Sequence, residues 1–266
     1  MEINEQALLE TLSRYPSSLR CFSSYVKWVC ENVSKDLEKY ELIVILDRND
    51  QGELAKLEEQ INASCRILDL KVDAFASAFG FLDDLLVDDA EKVHDLLNEA
   101  RVTIYLDKQG FTHIQKLPPR IKKDGRELAC ADFLATRKSR KYAVEVKTIR
   151  MENDLEDGVV YDGSGESNWW CKMFFCNAVT KIEDKSQRAI RQLESTKEHY
   201  TCDYKMLAIV SRRLGPSALL SECELLAELS RLRSHYPQID YFLQSSTLEI
   251  LLSTLAWSDI SARHQA

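Results

Sequence analysis

The chain has 266 residues, 45% of them hydrophobic and 29% charged, with a net charge of −8. That is enough apolar mass for a sizeable core and too much for wholesale disorder. Its longest apolar runs, such as "LIVIL" at 42–46, are far too short to cross a bilayer, and no charged-then-apolar leader opens it. The expectation is a cytoplasmic protein with no membrane partner. Eight cysteines lie scattered without a repeated C-x-x-C pair, so small buried thiols are expected rather than a disulfide framework or a zinc site.

Charge is unevenly spread. Residues 1–100 carry 10 basic against 21 acidic side chains, residues 101–150 carry 13 against 5, and residues 151–266 carry 12 against 17. Such a chain does not coat a polyanion with its whole surface, but residues 101–150 can hold one locally.

Taken in order, residues 1–40 predict helices separated near Pro16. "LIVILD" predicts a strand, "GELAKLEEQINAS" a helix and "CRILDLKVD" a second strand, together a small α/β unit. From Asp73 to Gln109 the pattern is helical, with Gly110 as its C-cap. "FTHIQKL", "LACADFLAT" and "YAVEVKTI" then predict an antiparallel meander joined by the basic turns "RIKKDGRE" and "RKSRK". Residues 150–177 predict a long acidic loop ending in the aromatic cluster Trp169, Trp170, Phe174 and Phe175. "KIEDKSQRAIRQLESTKEHY" follows as an amphipathic helix whose Lys181, Lys185, Arg188 and Gln192 line one stripe. "KMLAIVS" predicts a strand, "SALLSECELLAELSRLRSHY" a helix, "IDYFLQ" a strand and "TLEILLSTLAW" a closing helix.

The chemistry concentrates in "YAVEVKTI". Side chains two apart on a strand share a face, so Glu145 and Lys147 emerge together, opposite Val144, Val146 and Thr148. The preceding strand carries Asp132 among small and apolar neighbours. On paired antiparallel strands the two carboxylates converge, and their repulsion calls for a cation between them. Mg2+ or Mn2+ with retained waters meets that need, and a lysine beside it orients a water and offsets phosphate charge, the parts of a metal-assisted phosphodiester hydrolysis. The bland alternative is a cross-strand salt bridge.

This ensemble resembles the PD-(D/E)xK nuclease superfamily. The resemblance covers about residues 90–211; Ala131 stands where the Pro of the name would be, and the helix has Gln192 followed four later by Thr196 where some branches have Tyr. It implies a restriction-endonuclease-like α/β core over 90–266, a central mixed sheet flanked by helices, with residues 1–89 as a mostly helical or small α/β extension. It also implies Asp132, Glu145 and the Val146 carbonyl as metal ligands, Lys147 assisting the nucleophilic water, and Glu99 as an acidic residue on the first helix. Arg120, Lys122, Lys123, Arg137, Lys138, Arg140, Lys141, Lys181, Lys185, Arg188 and Gln192 are candidate nucleic-acid contacts. The expected function is a metal-dependent endonuclease, on DNA ahead of RNA, in a restriction or antiviral defence role, controlled by self-association or a partner subunit. The rival is a non-catalytic nuclease-fold subunit serving assembly or recognition.

Two weaker signals compete. "DRNDQGELAKLE", Asp47 to Glu58, partly fits a calcium loop, although a polar turn followed by a helix is the preferred reading. His94, His113 and His199 are dispersed and make no metal spacing.

Overall fold

The structure is a computed structural model and describes residues 4–15, 19–32, 41–78, 90–123, 125–149, 185–211, 230–237, 239–244 and 249–252. The aromatic-ended loop at 150–177 and Lys181 lie outside these residues. The chain divides into two compact units, 1–116 and 117–266.

The first unit is built from helices: α1 (Glu5–Ser13), α2 (Ser23–Asn32), α3 (Glu41–Asp47), α4 (Gln51–Leu68), the single turn α5 (Phe75–Ala78) and α6 (Ala90–Lys108), then the strand β1 (Thr112–Lys116). Leu8, Leu12, Phe22, Val26, Leu42, Ile43, Leu46, Leu54, Ile61 and Phe75 form its core. The expected α/β character of residues 41–73 is not found. "LIVIL" is helical because Leu42, Ile43 and Leu46, spaced for one helix face, are the residues that bury. "CRIL" continues α4, which ends where Asp69 takes a left-handed conformation (φ 54) and its N–H caps the Arg66 carbonyl. "VDA" is a 3-10 turn rather than strand. The Asp50 carboxylate accepts from the Gly52 and Glu53 N–H groups at 3.1 Å each, so the calcium-like stretch is a tight turn and an N-cap. Residues 51–58 are already helical, which removes the open loop that calcium ligation needs.

The second unit is α/β. A hairpin, β2 (Arg120–Lys123) and β3 (Arg126–Ala129), turns at Gly125 (φ 75). A mixed sheet of β4 (Phe133–Arg137), β5 (Arg140–Ile149), β6 (Tyr204–Ser211), β7 (Ile239–Gln244) and β8 (Glu249–Leu252) runs in the order β4-β5-β6-β7-β8. The β4–β5 and β7–β8 pairs are antiparallel, and β5–β6 and β6–β7 are parallel. Helix α7 spans 185–200 and a helical segment 230–235 precedes β7. Three expectations are corrected here. "RIKKDGRE" is a strand hairpin rather than only a turn, and "EILL" of the expected closing helix is strand β8. The single expected strand "LACADFLAT" is broken at 130–132 into β3 and β4.

One sheet face packs on α7. Leu134, Ala143, Leu207 and Ile209 meet Ala189 and Leu193, with Ile121, Leu232 and Ile239 in the same cluster. On the other face Phe133, Ala135, Tyr142, Val144, Met206, Ala208 and Val210 are all buried. A strand covered on both sides reads as a continuous apolar run, which is why a charged pair in β5 stands out.

Two measurements check this packing. The β4–β5 turn places Lys138 (φ 48) and Ser139 (φ 60) in a two-residue loop of the type I′ kind, where Asn-Gly is preferred. Lys138→Asn with Ser139→Gly is expected to raise unfolding stability in urea by about 1 kcal/mol. The Tyr142 phenol stacks on Tyr204 with centroids 5.0 Å apart, and burial, then the Asp240 carboxylate, pushes it up to about 12. The unfolded phenol ionises near its ordinary 10 while the folded one holds its proton, so stability falls as pH rises from 10 toward 12. Tyr142→Phe is expected to flatten that part of the stability profile.

Candidate functional site

The β4–β5 register pairs Phe133 with Val144 and Leu134 with Ala143 and ends there, with Asp132 the residue just before β4 and Glu145 the one just after Val144. Asp132 sits at a bend just before β4, and its Oδ2 accepts from the Val146 N–H at 2.7 Å. An extended residue sends its N–H and its carbonyl toward the same neighbouring strand, so the Val146 carbonyl lies on the Asp132 edge as well. Glu145 is 1% exposed and ion-paired with Lys147, which is partly buried. The Lys147 ammonium also donates to Gln192 Oε1 of α7 at 3.1 Å. Gln192 Nε2 in turn donates to the Cys130 carbonyl at 3.2 Å.

Helix α7 holds the strand break from which Asp132 projects. Ser195 Oγ donates to the Ala129 carbonyl at 2.6 Å, Gln192 reaches Cys130, and Thr196 Oγ1 accepts from the Ala131 N–H at 2.7 Å. Three consecutive residues are thereby held by side chains at positions i, i+3 and i+4 of one helix. The Leu117 N–H donates to the Asp132 carbonyl and the Cys130 N–H to the Pro119 carbonyl. These bonds satisfy backbone groups that a continuous strand would have paired in a ladder. They are the physical reason that "LACADFLAT" is not one strand.

The structure thus brings Asp132, Glu145, Lys147 and Gln192 into one connected set. Gln192, expected on the helix stripe with Lys181, Lys185 and Arg188, has its amide bonded to Lys147 and to the Cys130 carbonyl inside this set. Ser195, Thr196 and the Cys130 carbonyl were not anticipated, although Gln192, Ser195 and Thr196 already share a helix face by their spacing. Glu99 lies on α6 in the first unit, ion-paired with Lys116, both side chains partly buried.

The remaining basic candidates differ in how committed they are. Arg120 pairs with Glu127 at 3.0 Å, Lys123 with Glu198 at 2.7 Å and Arg140 with Asp203 at 3.3 Å. The Lys141 ammonium donates to the Tyr200 carbonyl at 2.9 Å. Lys122, Lys138, Lys185 and Arg188 are exposed, and Arg137 is half-buried. Surface ion pairs of the first kind are worth little and exchange readily for phosphate.

Cys30, Cys65, Cys130 and Cys202 are free thiols. Burial raises the Cys130 thiol above its ordinary value, against the opposing effect of its hydrogen bond with Thr196. Among the described residues no group of three or more His, Cys, Asp or Glu side chains is arranged to hold a metal ion, and no helix is long and apolar enough to cross a membrane. Among the described residues the expected ligands are two carboxylates and a backbone carbonyl, a donor set of the kind that suits an ion keeping most of its waters.

No family model matches this chain, and comparison with curated proteins and with solved structures returns no significant match.

The Thr196 hydroxyl accounts for a buried N–H at the strand break. Thr196→Val, which keeps shape and removes the acceptor, is expected to cost about 1–3 kcal/mol in urea unfolding, whereas Thr196→Ser costs less.

Proposed function

We propose that this chain is a magnesium-dependent endonuclease that hydrolyses phosphodiester bonds, on DNA in preference to RNA. The observation that carries the proposal is the Asp132 carboxylate bonded to the Val146 N–H, the residue between Glu145 and its ion-pair partner Lys147. The order of elements also supports a restriction-endonuclease-like core. An antiparallel pair, β4 and β5, is followed by α7 and then by β6 parallel to β5. The charged residues lie toward the C-terminal end of β5, the end of a parallel pair at which α/β sheets commonly bind ligands.

Asp132, Glu145 and the Val146 carbonyl would hold the ion, and the donor set fits a hard divalent cation. When bound, such an ion supplies a water of lowered pKa and stabilises negative charge on the phosphoryl oxygens. Lys147 orients the attacking water through its N–H donors and offsets charge as the phosphorane-like transition state develops. The buried setting of Glu145 excludes bulk water and strengthens each of these interactions. Lys122, Lys138, Lys185 and Arg188 supply exposed positive charge for the backbone, and the acidic remainder of the chain favours control by self-association or by a partner subunit. A restriction or antiviral defence role rests on the resemblance of the Asp132, Glu145 and Lys147 pattern to the PD-(D/E)xK nucleases.

The test is cleavage of duplex DNA, single-stranded DNA and RNA with Mg2+ or Mn2+ and with EDTA. Wild type is expected to cut DNA only with the metal, and Asp132→Ala and Lys147→Ala to lose at least about a hundredfold in rate. Absence of cleavage of every substrate by folded wild type would favour the non-catalytic subunit.

A further inference from the structure

Gln192 stands between the strand break and the lysine. Its two hydrogen bonds admit one orientation of the amide. The Cys130 carbonyl only accepts and an ammonium only donates, so Nε2 must face Cys130 and Oε1 must face Lys147. The helix backbone at this position is held in turn, because Thr196 Oγ1 donates to the Gln192 backbone carbonyl at 2.7 Å. The result is a fixed neutral acceptor directed at the Lys147 ammonium.

That ammonium has a second acceptor, the Glu145 carboxylate, with which it is ion-paired in a nearly dry position. An ammonium on Glu145 and a divalent cation on Glu145 are competitors. Each neutralises the same carboxylate, and a like charge so close disfavours the second cation. Lys147 is two residues from Glu145 on the same face, so it cannot leave by a change of strand; it can only shift its flexible four-carbon stem toward another acceptor. Among the hydrogen bonds described for this ammonium, the alternative is Gln192 Oε1 at 3.1 Å.

We propose that Gln192 is a positioning residue that draws the Lys147 ammonium off Glu145 and so opens the carboxylate to a divalent cation. The proposal rests on the nuclease reading of the same site. It makes the resting lysine–glutamate pair a built-in occupant of the cation position, with Gln192 setting how readily it yields. A neutral amide is suited to that task, because it holds the ammonium without adding a charge that would itself bind the cation.

The experiment is a calorimetric titration of the full chain with Mn2+ in the absence of nucleic acid, on wild type, Gln192→Met, Lys147→Met and the double variant, each checked by urea unfolding. Lys147→Met is expected to bind more tightly than wild type, because the competitor is gone. Gln192→Met is expected to bind about tenfold more weakly, the worth of one charge-assisted hydrogen bond. In the Lys147→Met background the Gln192 substitution is expected to have no effect. Equal weakening by Gln192→Met in both backgrounds would overturn the proposal, because it would mean that Gln192 acts only by holding the Cys130 carbonyl and the Asp132 bend. Unchanged affinity of Gln192→Met in wild type would also overturn it while leaving the metal site intact. If neither wild type nor Lys147→Met binds Mn2+, the metal reading itself fails and the proposal fails with it.

Discussion

The second unit is organised around one ammonium group. Lys147 sits on a strand buried from both faces, and a charge there is tolerated only with close partners, since an isolated ion in such surroundings costs several kcal/mol even after relaxation. Glu145 supplies the opposite charge and Gln192 the second acceptor. Each partner imposes a condition on the fold. Glu145 requires β5 to stay regular, so that the two side chains emerge together. Gln192 requires α7 to cross the same sheet face at one height. The apolar contacts of Ala189 and Leu193 with Leu134, Ala143, Leu207 and Ile209 set that height.

The same helix shapes the neighbouring strand. Hydroxyl and amide groups of Gln192, Ser195 and Thr196 hold the backbone of 129–131 where β3 ends, and the bend that follows turns the Asp132 carboxylate onto the Val146 N–H. Because the ladder between β4 and β5 ends at Phe133 and Val144, the edge of β5 beyond it is left for a side chain. A strand that ran on through 130–132 would have covered that edge with backbone. The functional reading therefore depends on a local interruption of β-structure, held by hydrogen bonds from α7 together with the burial of Cys130 and Ala131 in the core.

Much of the second unit was legible from sequence, because its signals are short apolar, β-branched runs in segments bounded by turns. "YAVEVKTI", "KMLAIVS" and "IDYFLQ" are strands β5, β6 and β7, and the charges inside the first of them pointed to the site. What escaped was decided by partners distant in sequence. The break at 130–132 depends on hydroxyls more than sixty residues away. The five-residue run "LIVIL" is too short and too uniformly apolar to separate a buried strand from a buried helix, and the helix shows only in which of its residues bury, Leu42, Ile43 and Leu46. "EILL" pairs with β7, since an open sheet edge outweighs the helix propensity of Glu and Leu. Gln192 was legible as a polar helix residue, but its direction of bonding required the amide network to be seen whole.

The position of a bound divalent cation decides between a nuclease site and a structural ion pair. Crystals grown with Mn2+ and measured at its absorption edge would place the ion by anomalous scattering. The expected result is a peak in reach of the Asp132 and Glu145 carboxylates and the Val146 carbonyl, with the Lys147 ammonium on Gln192. A peak elsewhere, or none at this site with Lys147 still paired to Glu145 at saturating Mn2+, would contradict the nuclease reading.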